Sequence, residues 1–102
     1  MPSPTIQYFT PSAGVNTSAS FSNGVTALPD PTANLLRITN MGANSITFKL
    51  GADNTVTTTQ STGTALMGGT SLIVGAQGMA YIALFCCGGP SSSSVVNLSS
   101  GN

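Results

Sequence analysis

The chain has 102 residues, of which only Asp30, Arg37, Lys49 and Asp53 carry a formal charge, and it contains no histidine. General acid/base catalysis, metal capture and phosphate binding draw on ionisable side chains, so this composition argues against an enzyme, a cofactor and a metal site. Two basic residues also make no electrostatic footprint for nucleic acid or an anionic membrane surface. We expect one compact domain with a neutral surface rich in hydroxyl groups.

Short β-branched runs separated by Gly, Asn, Asp and Pro recur along the chain, and no helical period lasts three turns. The chain is therefore predicted to be all-β. In chain order, the predicted strands are 5–10, 18–21, 35–40, 45–50, 55–60, 70–74, 79–86 and 94–98, with a short addition at 25–28. This number of short strands predicts a β-sandwich of the jelly-roll type, with an eight-stranded barrel as the alternative.

The N-terminal third differs from the rest in its proline content. Five of the six prolines lie in residues 1–34, and proline donates no hydrogen bond to a β-ladder. We therefore expect an extended arm and edge strands over 1–34 and the core of the sandwich over 35–102. The segment 55–60 is β-branched but polar, which favours either a sheet edge or a loop.

The most regular alternation of apolar and polar residues spans the predicted strands 35–40 and 45–50. One face of this pair is apolar and the other is polar. The link 41–44 contains a glycine, which is typical of a hairpin loop, so the two strands are predicted to pair with each other. Arg37 and Lys49 then lie on the same polar face, where they either bind an acidic partner or limit aggregation of that face.

The run 79–87 is apolar at all nine positions. It is the longest apolar run, is too short for a membrane span, and predicts a central strand or half of a subunit interface, with Tyr81 in the core. Cys86 and Cys87 at its end are interpreted as small hydrophobic residues, and an intermolecular disulfide remains open. The first residues lack a basic segment followed by an apolar one, so we expect synthesis in the cytoplasm without secretion.

Asp30 and Asp53 are the only acidic residues, and each lies between turn-forming neighbours, in the sequences PDP and ADN. Turn capping is the favoured role, and a shared Ca²⁺ site is the alternative. Serine and threonine are abundant, but there is no histidine to activate one as a nucleophile.

Residues 36–42 read apolar, Arg, apolar, any, Asn, any, Gly, and a β-branched strand ending in Gly51 follows. Further along come Leu66, Gly69, Ser71, the stretch 80–83 and a last short strand at 95–98. Over roughly residues 35–101, this order resembles that of small virion proteins of tailed phages, of the capsid cement or decoration type. The resemblance implies a β-sandwich on the outer surface of the virion, made in the host bacterial cytoplasm.

On this hypothesis the partners are the major capsid protein and further copies of the chain, as a dimer or trimer, and the Pro-rich arm makes the contact. The predicted contact residues are Pro2, Pro4, Ile6, Tyr8, Phe9, Pro11 and Arg37. A head-fibre or tail-associated virion protein is one alternative. A carbohydrate- or cell-surface-binding module is another, although such modules present exposed aromatic platforms and this chain has no Trp.

Overall fold

Eight β-strands form two four-stranded sheets in the computed structural model, which describes residues 9–102. The strands are β1 (Pro11–Ser20), β2 (Gly24–Ala27), β3 (Leu35–Asn40), β4 (Ile46–Gly51), β5 (Thr64–Leu66), β6 (Ser71–Gly75), β7 (Tyr81–Cys86) and β8 (Ser93–Gly101). Sheet I has the order β1-β8-β3-β6 and sheet II the order β2-β7-β4-β5. Residues 1–8 of the predicted N-terminal arm lie outside the described residues, and strands β1 and β2 lie within its remainder.

The strand pairing is nested along the chain. Strand β1 pairs with β8, β2 with β7, β3 with β6 and β4 with β5, all antiparallel. The chain thus behaves as one long antiparallel ribbon whose two ends meet, and this ribbon is rolled so that its strands alternate between two sheets. That arrangement is a jelly roll, and the predicted all-β sandwich is confirmed.

The predicted hairpin between the third and fourth strands is wrong. Strand β3 lies between β8 and β6 in sheet I, whereas β4 lies between β7 and β5 in sheet II. The link between them crosses from one sheet to the other. Alternation misled the prediction because it marks the face that a strand turns toward the core, and two strands facing each other across a core share that pattern with two paired strands.

This correction separates the two basic residues. The core-facing positions of β3 are Leu36 and Ile38, which places Arg37 on the outer face of sheet I, where it is half-buried. Lys49 alternates with Phe48 and the core-packed Leu50, and it is exposed on the outer face of sheet II. The two cations therefore lie on opposite sides of the sandwich and cannot grip one partner group together.

The core lies between the sheets. Every strand except β2 contributes to it, and β6 does so only through the partly buried Val74. Its fully buried large side chains include Leu36, Ile38, Ile46, Ile82, Leu84, Val96 and Leu98. Strand β7 lies between β2 and β4, as expected for a central strand. Tyr81 is half-buried on its outer face rather than in the core, because Ile82 and Leu84 take the inward positions.

Other strand boundaries also differ from the predicted ones. Strand β1 begins at Pro11 although half of its ten residues are Ser, Thr or Asn, because nine residues of β8 pair with it along its length. Strand β5 was not predicted, since it has only three residues. The segment 55–60 is a loop, which was the stated alternative to a sheet edge.

Candidate interaction surfaces

The two carboxylates have structural roles in turns. Asp30 Oδ1 accepts hydrogen bonds from the backbone N–H of Thr32 at 3.0 Å and from its hydroxyl at 2.6 Å. Asp53 Oδ1 accepts from the backbone N–H of Thr55 at 3.0 Å and also from its hydroxyl. These hydroxyl bonds lower the pKa of both carboxyl groups, because they favour the ionised form. The predicted turn role is confirmed.

Within residues 9–102, no three His, Cys, Asp or Glu side chains come together in a way that would hold a metal ion. The described part of the chain also has no helix whose length and apolarity suit a membrane crossing.

The two cysteines are free thiols at the end of β7. Cys86 is fully buried, and the Ser92 hydroxyl donates a hydrogen bond to its sulfur at 3.4 Å. Cys87 is half-buried, and its backbone N–H donates to the Ser45 carbonyl at 2.8 Å. Burial, and secondarily the adjacent Cys86, raise the pKa of the Cys87 thiol. A raised pKa lowers the thiolate fraction and hence the reactivity of the group.

Of the seven predicted contact residues, the structure describes Phe9, Pro11 and Arg37. The Phe9 ring lies over Arg37, with 5.4 Å from the guanidinium carbon to the ring centroid. A Cβ atom added at Gly101 would stand 2.9 Å from Phe9 Cζ, so the ring also covers the end of β8. We call this cluster of Phe9, Arg37 and Gly101 the arm entry. Pro2, Pro4, Ile6 and Tyr8 lie outside the described residues.

The arm entry is held in place by backbone and packing. Thr10 and Asn102 exchange two hydrogen bonds, of 2.8 and 3.1 Å, which extend the β1 and β8 pairing by one residue. Pro11 is exposed at the start of β1. Arg37 Nε is buried without a hydrogen-bond partner among the described residues, so the guanidinium is committed partly to packing against Phe9. Sequence reasoning named Phe9 and Arg37, and the structure brings them together.

A second surface was missed by sequence reasoning. The loops 21–23, 41–45, 67–70 and 87–92 meet at one end of the sandwich, which we call the loop end. It exposes Phe21 by 36%, Met41 by 51% and Met67 by 70% of their surfaces. None of the four charged residues lies in these loops. The signal available in the sequence was a large methionine in each of two glycine-containing loops, which were interpreted only as turns.

The loop end is stiffened by Asn40, the last residue of β3, which is fully buried. Its amide nitrogen donates to the carbonyls of Asn44, at 2.7 Å, and Leu66, at 3.2 Å. Its amide oxygen accepts from the backbone N–H of Gly42, at 3.2 Å, and from the Ser94 hydroxyl. One side chain therefore ties the link between the sheets to β5 and β8. Because the Asn40 side chain is fully buried and all its bonds are made, the loop end presents Met41 and Met67 on a defined backbone.

Two open grooves mark the surface. One, of about 400 Å³, is lined by Phe48, Lys49, Leu50, Gly63, Thr64 and Val74. It exists because β5 pairs only with residues 46–48 and leaves the remaining edge of β4 uncovered. The other, of about 470 Å³, is lined by Ser20, Phe21, Ser22, Pro90 and residues 91–93. There the Phe21 ring packs on Phe85 with 5.1 Å between centroids.

No family model matches the chain, and no curated protein matches it. Among solved structures, it superposes on a protein of Bacillus endospore appendages, which are described as a novel family of disulfide-linked pili. The TM-score is 0.50 at 8% sequence identity, over 99% of this chain and 96% of that chain. At this identity the likeness supports the sandwich fold alone.

Proposed function

We propose that the protein is a non-enzymatic decoration protein of tailed-phage capsids, which binds the outer surface of the major capsid shell and stabilises it. The observation that supports this most directly is the uncharged loop end with exposed Met41 and Met67. Both carboxylates lie in other loops, where they are used in turns. A protein that covers a repeating shell needs contact area and shape, and it needs no reactive group.

The resemblance at residues 35–101 points to the same class of protein, and the arm entry supplies a second region of contact. Phe9, the first described residue, packs against Arg37 on the outer face of sheet I. Residues 1–8 contain two prolines, Ile6 and Tyr8, which suit an apolar contact with little loss of conformational entropy. In this proposal the arm and the loop end hold the shell together.

The test is reconstitution of capsids that lack the protein, with occupancy measured by cryo-electron microscopy. The wild-type chain is expected to decorate the shell and to remain bound in molar NaCl, because few ion pairs are available for salt to screen. Deleting residues 1–8, which leaves β1 intact, should lower occupancy without lowering the melting temperature. Capsids that stay bare with the wild-type chain, or lose it to salt alone, would overturn the proposal.

A matched pair of variants tests the loop end. Met41→Ser combined with Met67→Ser should reduce occupancy, whereas Val95→Ser should not, although Val95 is 47% exposed on the outer face of sheet I. Equal loss in both variants would show that general apolarity, rather than the loop end, drives binding. Copy number separates decoration from a head-fibre or tail-associated role, since decoration requires hundreds of copies per particle.

A subunit of a self-assembling filament is the second candidate, favoured by the superposition on a pilus protein over nearly the whole of both chains. The pili of that structure are described as disulfide-linked, so the state of the two cysteines matters for this candidate. Cys86 is buried and Cys87 has a raised pKa, so this chain is poorly suited to cross-linking through either thiol. Negative-stain images of the purified protein, with non-reducing gels, decide between the two: filaments with covalent ladders would favour the second candidate.

A further inference from the structure

We propose that strand β6 pairs edge to edge, antiparallel and about a two-fold axis, with β6 of a second copy. This pairing joins sheet I of both molecules into one eight-stranded sheet. It assigns a specific self-interface that the proposed capsid contact neither requires nor supplies.

Among residues 9–102, no strand pairs with the outer side of β6, so its backbone forms the open edge of sheet I. Two hydrogen bonds at the ends of the β3–β6 pairing show which β6 residues turn their backbone groups toward β3. They run from Asn40 N–H to the Thr70 carbonyl, at 2.9 Å, and from Ala76 N–H to the Asn34 carbonyl, at 2.8 Å. Backbone groups of alternate residues point to opposite sides of a strand. Residues 70, 72, 74 and 76 therefore face β3, and the N–H and C=O groups of Ser71, Ile73 and Gly75 face the open edge.

Strand β6 lacks the features that normally protect an exposed edge. It has no charged residue, no proline and no register shift against β3, and Leu72 and Ile73 are 38% and 37% exposed. The opposite edge strand, β1, begins with Pro11 and has an irregularity between Pro11 and Ala13. The edge strands of sheet II are short, with four residues in β2 and three in β5. Among the described edges, β6 is the one suited to accept another strand.

The β6 sequence, SLIVG, is complementary to itself about Ile73. With Ile73 opposite the partner's Ile73, Ser71 lies opposite the partner's Gly75, and all edge-facing residues meet edge-facing residues. Such pairs exchange two hydrogen bonds each, so three pairs supply about six. Leu72 then lies opposite the partner's Val74 on the core-facing side. A shift of the pairing by one residue would place backbone groups that face the open edge opposite backbone groups that face β3, and these hydrogen bonds would be lost.

Packing and charge favour the same arrangement. Val74 lines the open groove together with Phe48 and Leu50, so the partner's Leu72 would cover apolar surface at the mouth of that groove. The charged residue next to β6 within sheet I is Arg37, one strand inward, where it pairs with Ile73. Two such groups would be three strand spacings apart, roughly 14 Å, which exceeds the Debye length of about 8 Å at physiological salt. With a net charge of zero, two copies have no long-range electrostatic repulsion.

The experiment measures the mass of the purified full chain by sedimentation velocity over a range of concentrations. The wild-type protein should reach twice the 10.2 kDa of one chain. Ile73→Lys should remain at the mass of one chain, because it places two like charges directly opposite each other. The matched control, Val95→Lys, adds the same charge to the same outer face, two strands from the edge, and should still dimerise. If Ile73→Lys fails to fold by circular dichroism, Ser71→Pro replaces it, because it removes an N–H group that faces the open edge and is not used in the β3 ladder.

The register is tested by cross-linking. Ile73→Cys should form a covalent dimer with diamide, which takes up the two electrons and two protons released by the paired thiols, because hydrogen-bonded partners lie about 5.5 Å apart at Cα. Val95→Cys, with the same native cysteines, should not. The proposal would be overturned if the wild-type protein is a monomer or a trimer, or if it grows into open-ended assemblies. It would also be overturned if the variants at residues 73 and 95 behave alike. A monomer that still decorates capsids would refute only the β6 interface, and a β6 dimer that leaves capsids bare would refute only the proposed function.

Discussion

Replacing Asn40 by alanine removes the polar centre of the loop end. Four hydrogen bonds are lost, two donated to the carbonyls of Asn44 and Leu66 and two accepted from Gly42 N–H and the Ser94 hydroxyl, and those with Leu66 and Ser94 are buried. Each intramolecular hydrogen bond contributes roughly 1 kcal/mol net, and a buried group left without a partner costs more. Because Asn40 is 0% exposed, water cannot readily replace the amide. We expect Asn40→Ala to lower the free energy of unfolding by about 4 kcal/mol.

Urea denaturation followed by far-ultraviolet circular dichroism measures this loss, since the chain has no tryptophan to report by fluorescence. The denaturation midpoint should fall with an unchanged m-value, and the melting temperature should drop by roughly 4 °C for each kcal/mol lost. Asn16→Ala is the matched control. Asn16 is exposed on β1 and accepts one hydrogen bond, at 2.8 Å, from Asn97, so its loss should cost less than about 0.5 kcal/mol.

A loss of stability in Asn40→Ala no larger than that in Asn16→Ala would contradict this role of Asn40. So would wild-type stability of Asn40→Leu, which keeps the branching at Cγ but none of the hydrogen bonds. Either result would mean that the loop end is held by packing alone.

Three further predictions follow from single sites. Gly42→Ala should cost about 1–3 kcal/mol in urea denaturation, because a Cβ there would come within 3.0 Å of the Cα of a buried serine in β8, whereas Gly75→Ala, with nothing within 4 Å, should be neutral. The Cys87 thiol should react with N-ethylmaleimide more slowly at pH 8 than a free cysteine, and intact-mass measurements should show at most one adduct before unfolding. The lowered pKa values of Asp30 and Asp53 mean that their contribution to stability is present above the unfolded value of about 3.9 and is lost as pH falls through the folded values. Stability should therefore decline only below about pH 4, and the double variant with Asn at both positions should show a flatter acid limb; an equally steep limb would contradict this assignment.

Much of the candidate site could be anticipated from residue types. Phe9 and Arg37 were named as contact residues, and the turn roles of the two aspartates followed from their neighbours. Met41 and Met67 were missed, because glycine and asparagine in a loop indicate a turn but say nothing of which loop residue faces solvent. The open edge at β6 was also beyond sequence reasoning, since an edge is defined by the absence of a neighbouring strand.

By itself, the sequence determined the all-β class, the neutral surface and the approximate positions of β3, β4, β6, β7 and β8, because alternation and turn residues act over a few neighbours. Only the tertiary structure decided which strands pair. Strand β3 joins β8 and β6 rather than β4, and the polar β1 becomes a strand because β8 supplies its hydrogen bonds. Alternation indicates which face of a strand is buried. The strand with which it pairs depends on the closure of the whole ribbon, which runs from Pro11 paired with Gly101 inward to β4 paired with β5.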